Sequence, residues 1–164
     1  GSADVVLSIE SGATYPNIER FFHEVARLVR PGGHFCYADI VHRDLVEPYV
    51  ALLGDLGLAA AEVRDITANG GAARGGGGPR QQMAFATADE VDRTTMAEFS
   101  GTTDSVLYHQ FASGDHRYVL ARFRRTDAPD SGRHLTEPQR AVARATSAIA
   151  LDALTMPSAR GAGG

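Results

Sequence analysis

The stretch from Asp4 to Arg43 constrains the chain more than any other. It opens on an apolar run (Val5, Val6, Leu7, Ile9) and continues as an amphipathic segment. It stops at Pro31-Gly32-Gly33 and resumes in a second apolar run (Phe35, Cys36, Tyr37, Ala38) that ends on Asp39. That order specifies a strand, a crossover helix and a strand.

The helix rests on Ile18, Phe21, Phe22, Val25, Leu28 and Val29, whose three-, four- and seven-residue spacing lines one face. Pro16 suits a first turn, where its missing amide has no partner in any case. Arg20, Glu24 and Arg27 take the opposite face as pairs three and four residues apart. Pro31 cannot continue a helix, and Gly32 with Gly33 supplies the freedom to reverse. Both flanking runs are apolar at consecutive positions, as parallel strands covered on both faces are. A right-handed crossover then makes them neighbours or near neighbours in one sheet, and chemistry gathers beyond the carboxyl ends of such strands. Those ends carry Glu10 with Ser11, and Asp39.

At 164 residues and 43% hydrophobic content, the chain can bury the core of one soluble domain. No apolar run reaches the roughly 18 residues of a membrane helix, and no secretory leader pattern opens the sequence, so a cytoplasmic protein is expected. The net charge of -4, without a basic cluster, argues against a nucleic-acid partner. The single cysteine, Cys36, can form no internal disulfide and reads as a small buried hydrophobe.

Residues 44 to 57 carry Leu45, Val46, Tyr49, Leu52, Leu53 and Leu56 at helical spacing, with Gly57 as the stop. Leu58 to Thr67 reads as a strand, and the glycine-rich tract at 68–80 as a flexible loop. That tract is no phosphate loop, because no Lys-Ser/Thr pair follows it. Helical sequence resumes between Gln81 and Phe99 and again from Thr103 to Phe111. Tyr118, Leu120 and Phe123 then mark an antiparallel strand at a sheet edge. Residues 1–126 thus form an α/β domain, and 127–164 a linker, a marginal helix and a disordered tail.

The segments DVVLSIES with TYP, FFHEVARLVRPGGHFCYADI and SGDHRYVLARFRR together resemble the C-terminal half of a class I S-adenosylmethionine-dependent methyltransferase. Within that family the likeness is greatest to small-molecule O-methyltransferases acting on glycolipids, phenols and sugars. The resemblance implies a partial Rossmann-like sheet, mostly parallel with an antiparallel last strand. Asp4 to Glu10 and His34 to Ile40 would be the family's fourth and fifth strands. Leu58 to Thr67 and His116 to Arg125 would be its last two. The family's glycine-rich turn after the first strand and its ribose-binding acid after the second would lie before residue 1.

A cofactor held at micromolar strength uses about 8 kcal/mol; half the contacts would leave roughly 4, or millimolar binding. Weak or absent S-adenosylmethionine binding is therefore expected of this chain alone. The strand at residues 4–10 would be an apolar edge open to a second copy or a partner chain.

Methyl transfer is an in-line displacement, so the protein orients the acceptor and in some cases supplies a base. The resemblance gives Asp39 the part of base or acceptor-orienting group; a loop carboxylate capping the next helix is the alternative. It gives Ile9, Glu10 and Ser11 backbone contacts with the cofactor's amino-acid end. Tyr15, His42 and Arg43 lie on the same rim, either facing a small-molecule acceptor or standing as solvated loop residues. Converging Glu10 and Asp39 carboxylates would raise the pKa of one of them. Related members carry a histidine three residues after the glutamate, where this chain has Ala13. Asp39 and His42 make only a pair, too few for a metal ligand set. Two functions follow: the C-terminal part of an O-methyltransferase, or a catalytically inactive module that associates through its open edge.

Overall fold

The computed structural model describes residues 1–68, 109, 112–128, 130 and 132–155. Strands β1 (Ala3–Ile9), β2 (Val29–His42), β3 (Leu58–Asp65) and β4 (His116–Arg125) form one sheet in the order β1-β2-β4-β3. β1 and β2 are parallel, and β4 runs antiparallel to both β2 and β3. The α/β class and the mixed sheet are as the sequence indicates. The last strand is not at an edge, however. It lies inside the sheet, burying Val119, Ala121 and Phe123 at alternate positions.

Helix α1 (Ile18–Leu28) joins β1 to β2, and α2 (Val46–Asp55) follows β2 after a short 3₁₀ turn, Arg43–Leu45. The Asn17 side chain caps α1 by accepting the Arg20 amide at 2.9 Å, so Pro16 stands before the helix rather than in its first turn. Val29 belongs to β2, not to the helix. The Pro31-Gly32-Gly33 sequence lies within the strand, where the register between Ala3/Val29 and Val5/His34 shifts. Gly32 has φ +76°, and a Cβ on Gly33 would stand 2.8 Å from the Asp4 carbonyl oxygen. Arg30 ties this bulge to Asp4 at 2.6 Å.

Phe22 is the hub of the core. Its ring meets Tyr49 and Tyr37 edge-on at 5.2 and 6.0 Å, and Phe35 stacks on Phe123 at 5.9 Å. Both helices lie on this one face, as right-handed crossovers progressing in the same direction require. The expected cover on both faces is absent among the described residues. Val5, Leu7 and Ile9 are 51%, 66% and 64% exposed, and Cys36 on the same face is half-buried rather than buried.

The glycine-rich tract beyond Ala68 and the helices expected at 81–99 and 103–111 lie outside the described residues, His109 apart. Where a linker and a marginal helix are expected, Leu135 is buried and α3 (Glu137–Thr155) packs on the domain through Val142, Ala143 and Ser147. Thr136 and Gln139 cap its start reciprocally, at 2.8 and 3.4 Å. Its apolar stripe looks weak because the contact uses small side chains. No helix among the described residues is long and apolar enough to cross a membrane.

Candidate functional site

β1 stops at Ile9, whereas β2 continues to His42 by pairing with β4. Asp39 therefore lies inside β2, one position past the last residue paired with β1, and not at the strand's end. Its side chain turns to the core face, with Tyr37 and Val41, and is 1% exposed. The chain leaving β1 folds over it. Glu10 donates its amide to the Ala38 carbonyl at 2.8 Å and then takes a left-handed conformation, φ 51°. It is the one non-glycine residue of positive φ among the described residues, at a cost of about 1–2 kcal/mol. A 3₁₀ turn, Gly12–Thr14, follows.

Asp39 anchors that turn. Its Oδ2 accepts the Gly12 amide at 2.5 Å, its Oδ1 accepts the Ile40 amide at 2.8 Å, and the Tyr37 hydroxyl hydrogen-bonds to it. Gly12 is required by space. A Cβ there would stand 2.6 Å from Asp39 Oδ2 and 2.8 Å from the Tyr37 hydroxyl. Burial raises the Asp39 pKa to about 6 against the pull of the Gly12 and Ile40 amides, and the Glu10 charge adds to the rise. The Tyr37 hydroxyl is pushed well upward by burial and by Asp39.

The Glu10 and Asp39 carboxylates thus influence each other, although their side chains part. Glu10 Oε1 accepts the Tyr118 hydroxyl at 2.6 Å, across the end of β2. Ser11 is held by its own neighbour, since its Oγ lies 2.9 Å from that of Ser8. The Ile9 side chain stands on the open face.

The acceptor-side residues are not brought together. Tyr15 stacks on Phe21 at 4.5 Å and lines a cavity of about 210 Å³ with Asn17, Glu19, Arg140 and Arg144. His42 meets the His116 ring edge-on at 5.3 Å and accepts the Asp44 amide through Nδ1. Arg43 points outward to Asp44 and Asp115, each at 3.6 Å. Sequence reasoning missed Gly12, Tyr37 and Tyr118. For Tyr37 a signal existed: two residues before Asp39 on a strand, it must share its face. It also missed the tie from α3, where the Ser147 hydroxyl donates to the Tyr15 carbonyl at 3.0 Å.

A second cluster forms where α1 meets the segment before α3. His134 Nδ1 lies 2.7 Å from Glu19 Oε1, and the His23 and His134 rings stack at 5.9 Å. Burial tends to raise the Glu19 pKa, but hydrogen bonds from His134, the Leu135 amide and Arg140 outweigh it and leave the carboxyl below its usual range.

Residues 1–37 match the family model described as a methyltransferase domain. Over 129 residues the chain is 33% identical to the phthiotriol/phenolphthiotriol dimycocerosates methyltransferase of Mycobacterium tuberculosis, covering 74% of this chain and 46% of that protein. It is 40% identical over 63 residues to a fatty-acid O-methyltransferase of Mycolicibacterium smegmatis, covering 38% of this chain and 23% of the relative. The O-methyltransferase of a trans-AT PKS multienzyme of Brevibacillus brevis, solved with S-adenosyl-L-homocysteine, superposes with TM-score 0.55 at 14% identity. That fold likeness covers 92% of this chain and 50% of the solved one. The chain spans about half the length of the curated relatives it matches.

A raised carboxyl pKa means that the folded state binds the Asp39 proton more tightly than the unfolded state. The resulting stability is complete below about pH 4 and is lost as pH rises through about 6. In chemical denaturation, the stability of the wild type relative to Asp39→Asn should grow by about 2 kcal/mol from pH 7 to pH 4. A difference that stays flat with pH would contradict the buried anchor.

Proposed function

Because the chain belongs by sequence and fold to the class I S-adenosylmethionine-dependent methyltransferases, we propose that it forms one wall of an O-methyltransferase cleft acting on a hydroxyl of a small molecule, a lipid, phenol or sugar. The observation that carries this reading is the turn at the end of β1, set over a buried Asp39 with Glu10 in a strained conformation. Strain held at a strand's carboxyl end is characteristic of ligand sites.

Bound S-adenosylmethionine supplies the electrophilic methyl group. Ile9, Glu10 and Ser11 hold its amino-acid end, chiefly through backbone groups. Asp39 fixes the height and direction of the turn and acts as a positioning residue; its oxygens are engaged by Gly12, Ile40 and Tyr37, which leaves it poorly placed to take a proton from an acceptor. Tyr15, His42 and Arg43 border the acceptor side. The opposite wall is provided by structure seated against the β1 edge.

Calorimetric titration of this chain with S-adenosylmethionine should give a dissociation constant weaker than about 100 μM, or about -5.5 kcal/mol. Tighter binding would show that the wall is sufficient alone.

A second reading, a catalytically inactive association module, is favoured by the exposed Val5, Leu7 and Ile9 on the edge strand. It requires self-association in sedimentation velocity that Leu7→Lys abolishes. A wild type that stays monomeric at about 100 μM, a concentration matching roughly -5.5 kcal/mol of association, removes it.

A further inference from the structure

The cluster between α1 and the segment before α3 has the composition of a transition-metal site. Glu19, His23 and His134 each offer one ligand atom, and these atoms lie within 4.8 Å of one another. Asp130 adds a fourth donor, its Oδ2 standing 3.9 Å from His23 Nδ1. Two imidazoles and two carboxylates suit zinc, which takes nitrogen at about 2.0–2.1 Å and carboxylate oxygen at about 2.0–2.2 Å in tetrahedral geometry. Donors in such a shell stand roughly 3.3 Å apart, so the exposed His134 and Asp130 and the half-exposed His23 need only small rotations to reach that spacing around Glu19. His134 and Asp130 are exposed, whereas Glu19 is nearly buried, 12% exposed, and oriented by Arg140 on its other oxygen.

An ordinary ion-pair cluster accounts for only part of this. Glu19 and His134 satisfy each other at 2.7 Å, but His23 stands too far from Asp130 for a hydrogen bond while its ring stacks on His134. Two imidazoles and the Glu19 carboxylate with ligand atoms within 4.8 Å of one another, and Asp130 beside His23, are arranged for a shared cation. Glu19 and Asp130 set two negative charges against the one positive charge of Arg140, which favours a dication.

We propose that Glu19, His23, Asp130 and His134 bind a zinc-class divalent cation that clamps α1 to the segment leading into α3. The clamp would act on the cleft from outside it. α3 holds the Tyr15 carbonyl through Ser147 and borders the cavity beside Tyr15, so seating α3 shapes that rim.

The test is a calorimetric titration of the chelator-stripped full chain with zinc chloride, paired with visible absorption on adding cobalt. One equivalent should bind with a dissociation constant on the order of 1 μM, and tetrahedral cobalt bands should appear. His134→Gln and His23→Gln, monitored for folding by circular dichroism, should each weaken binding at least about tenfold; His42→Gln, at the other histidine pair, should leave it unchanged. The proposal is overturned by no binding at about 100 μM zinc, or by binding that either of the first two substitutions leaves within about twofold. Loss of binding in His42→Gln would also overturn it.

Discussion

At the carboxyl edge of the sheet, the local structure depends on a carboxylate placed where water does not reach. Asp39 is 1% exposed, and an unpartnered carboxylate there would be too costly to keep ionised. Amides from Gly12 and Ile40 offset that cost only in part, and the Glu10 charge adds to it, which is why burial raises the pKa to about 6. The same bonds fix the turn after β1. Gly12 must lack a side chain, Glu10 must enter from a left-handed conformation, and the chain is delivered to Asn17, where α1 begins.

The aromatic layer supports this arrangement from below. Phe22 on α1 packs edge-on against Tyr37 and Tyr49, so the helix that follows the turn also holds the tyrosine that faces Asp39. α3 closes the circuit from the far end of the sequence. Ser147 binds the Tyr15 carbonyl, while Glu19 gathers His134, the Leu135 amide and Arg140. Turn, first helix and last helix are thus one packed unit at the candidate cleft.

Much of this is legible in the sequence. The periodicity of Ile18, Phe22 and Val25 gives α1 and its buried face, Gly57 marks the end of α2, and Leu58 to Asp65 forms the strand expected there. What stays hidden is order and partnership across the chain. Residues 116–125 are recognisable as a strand, but their local pattern does not say that they slot between β2 and β3, because sheet order depends on long-range pairing. Consecutive apolar residues in β1 suggest cover on both faces, whereas Val5, Leu7 and Ile9 stand exposed. Of the site, Asp39 and Glu10 are visible as the acids that close the two apolar runs, although Asp39 lies inside its strand. Their partners Gly12, Tyr37 and Tyr118 are not, since hydrogen bonds made through backbone amides and across strands leave little trace in residue type. The meeting of His134 with Glu19, 115 residues apart, is visible only in the fold.

The most direct measurement is a carbon-13 and amide NMR titration of Asp39 and Gly12. If Asp39 is the buried anchor of the turn, its carboxyl carbon titrates with a midpoint near 6, and the Gly12 amide proton shifts with that same midpoint. A midpoint near the ordinary aspartate value of about 3.9, with a Gly12 amide that does not follow it, would mean that Asp39 is a solvated loop carboxylate and that the turn is held by other contacts.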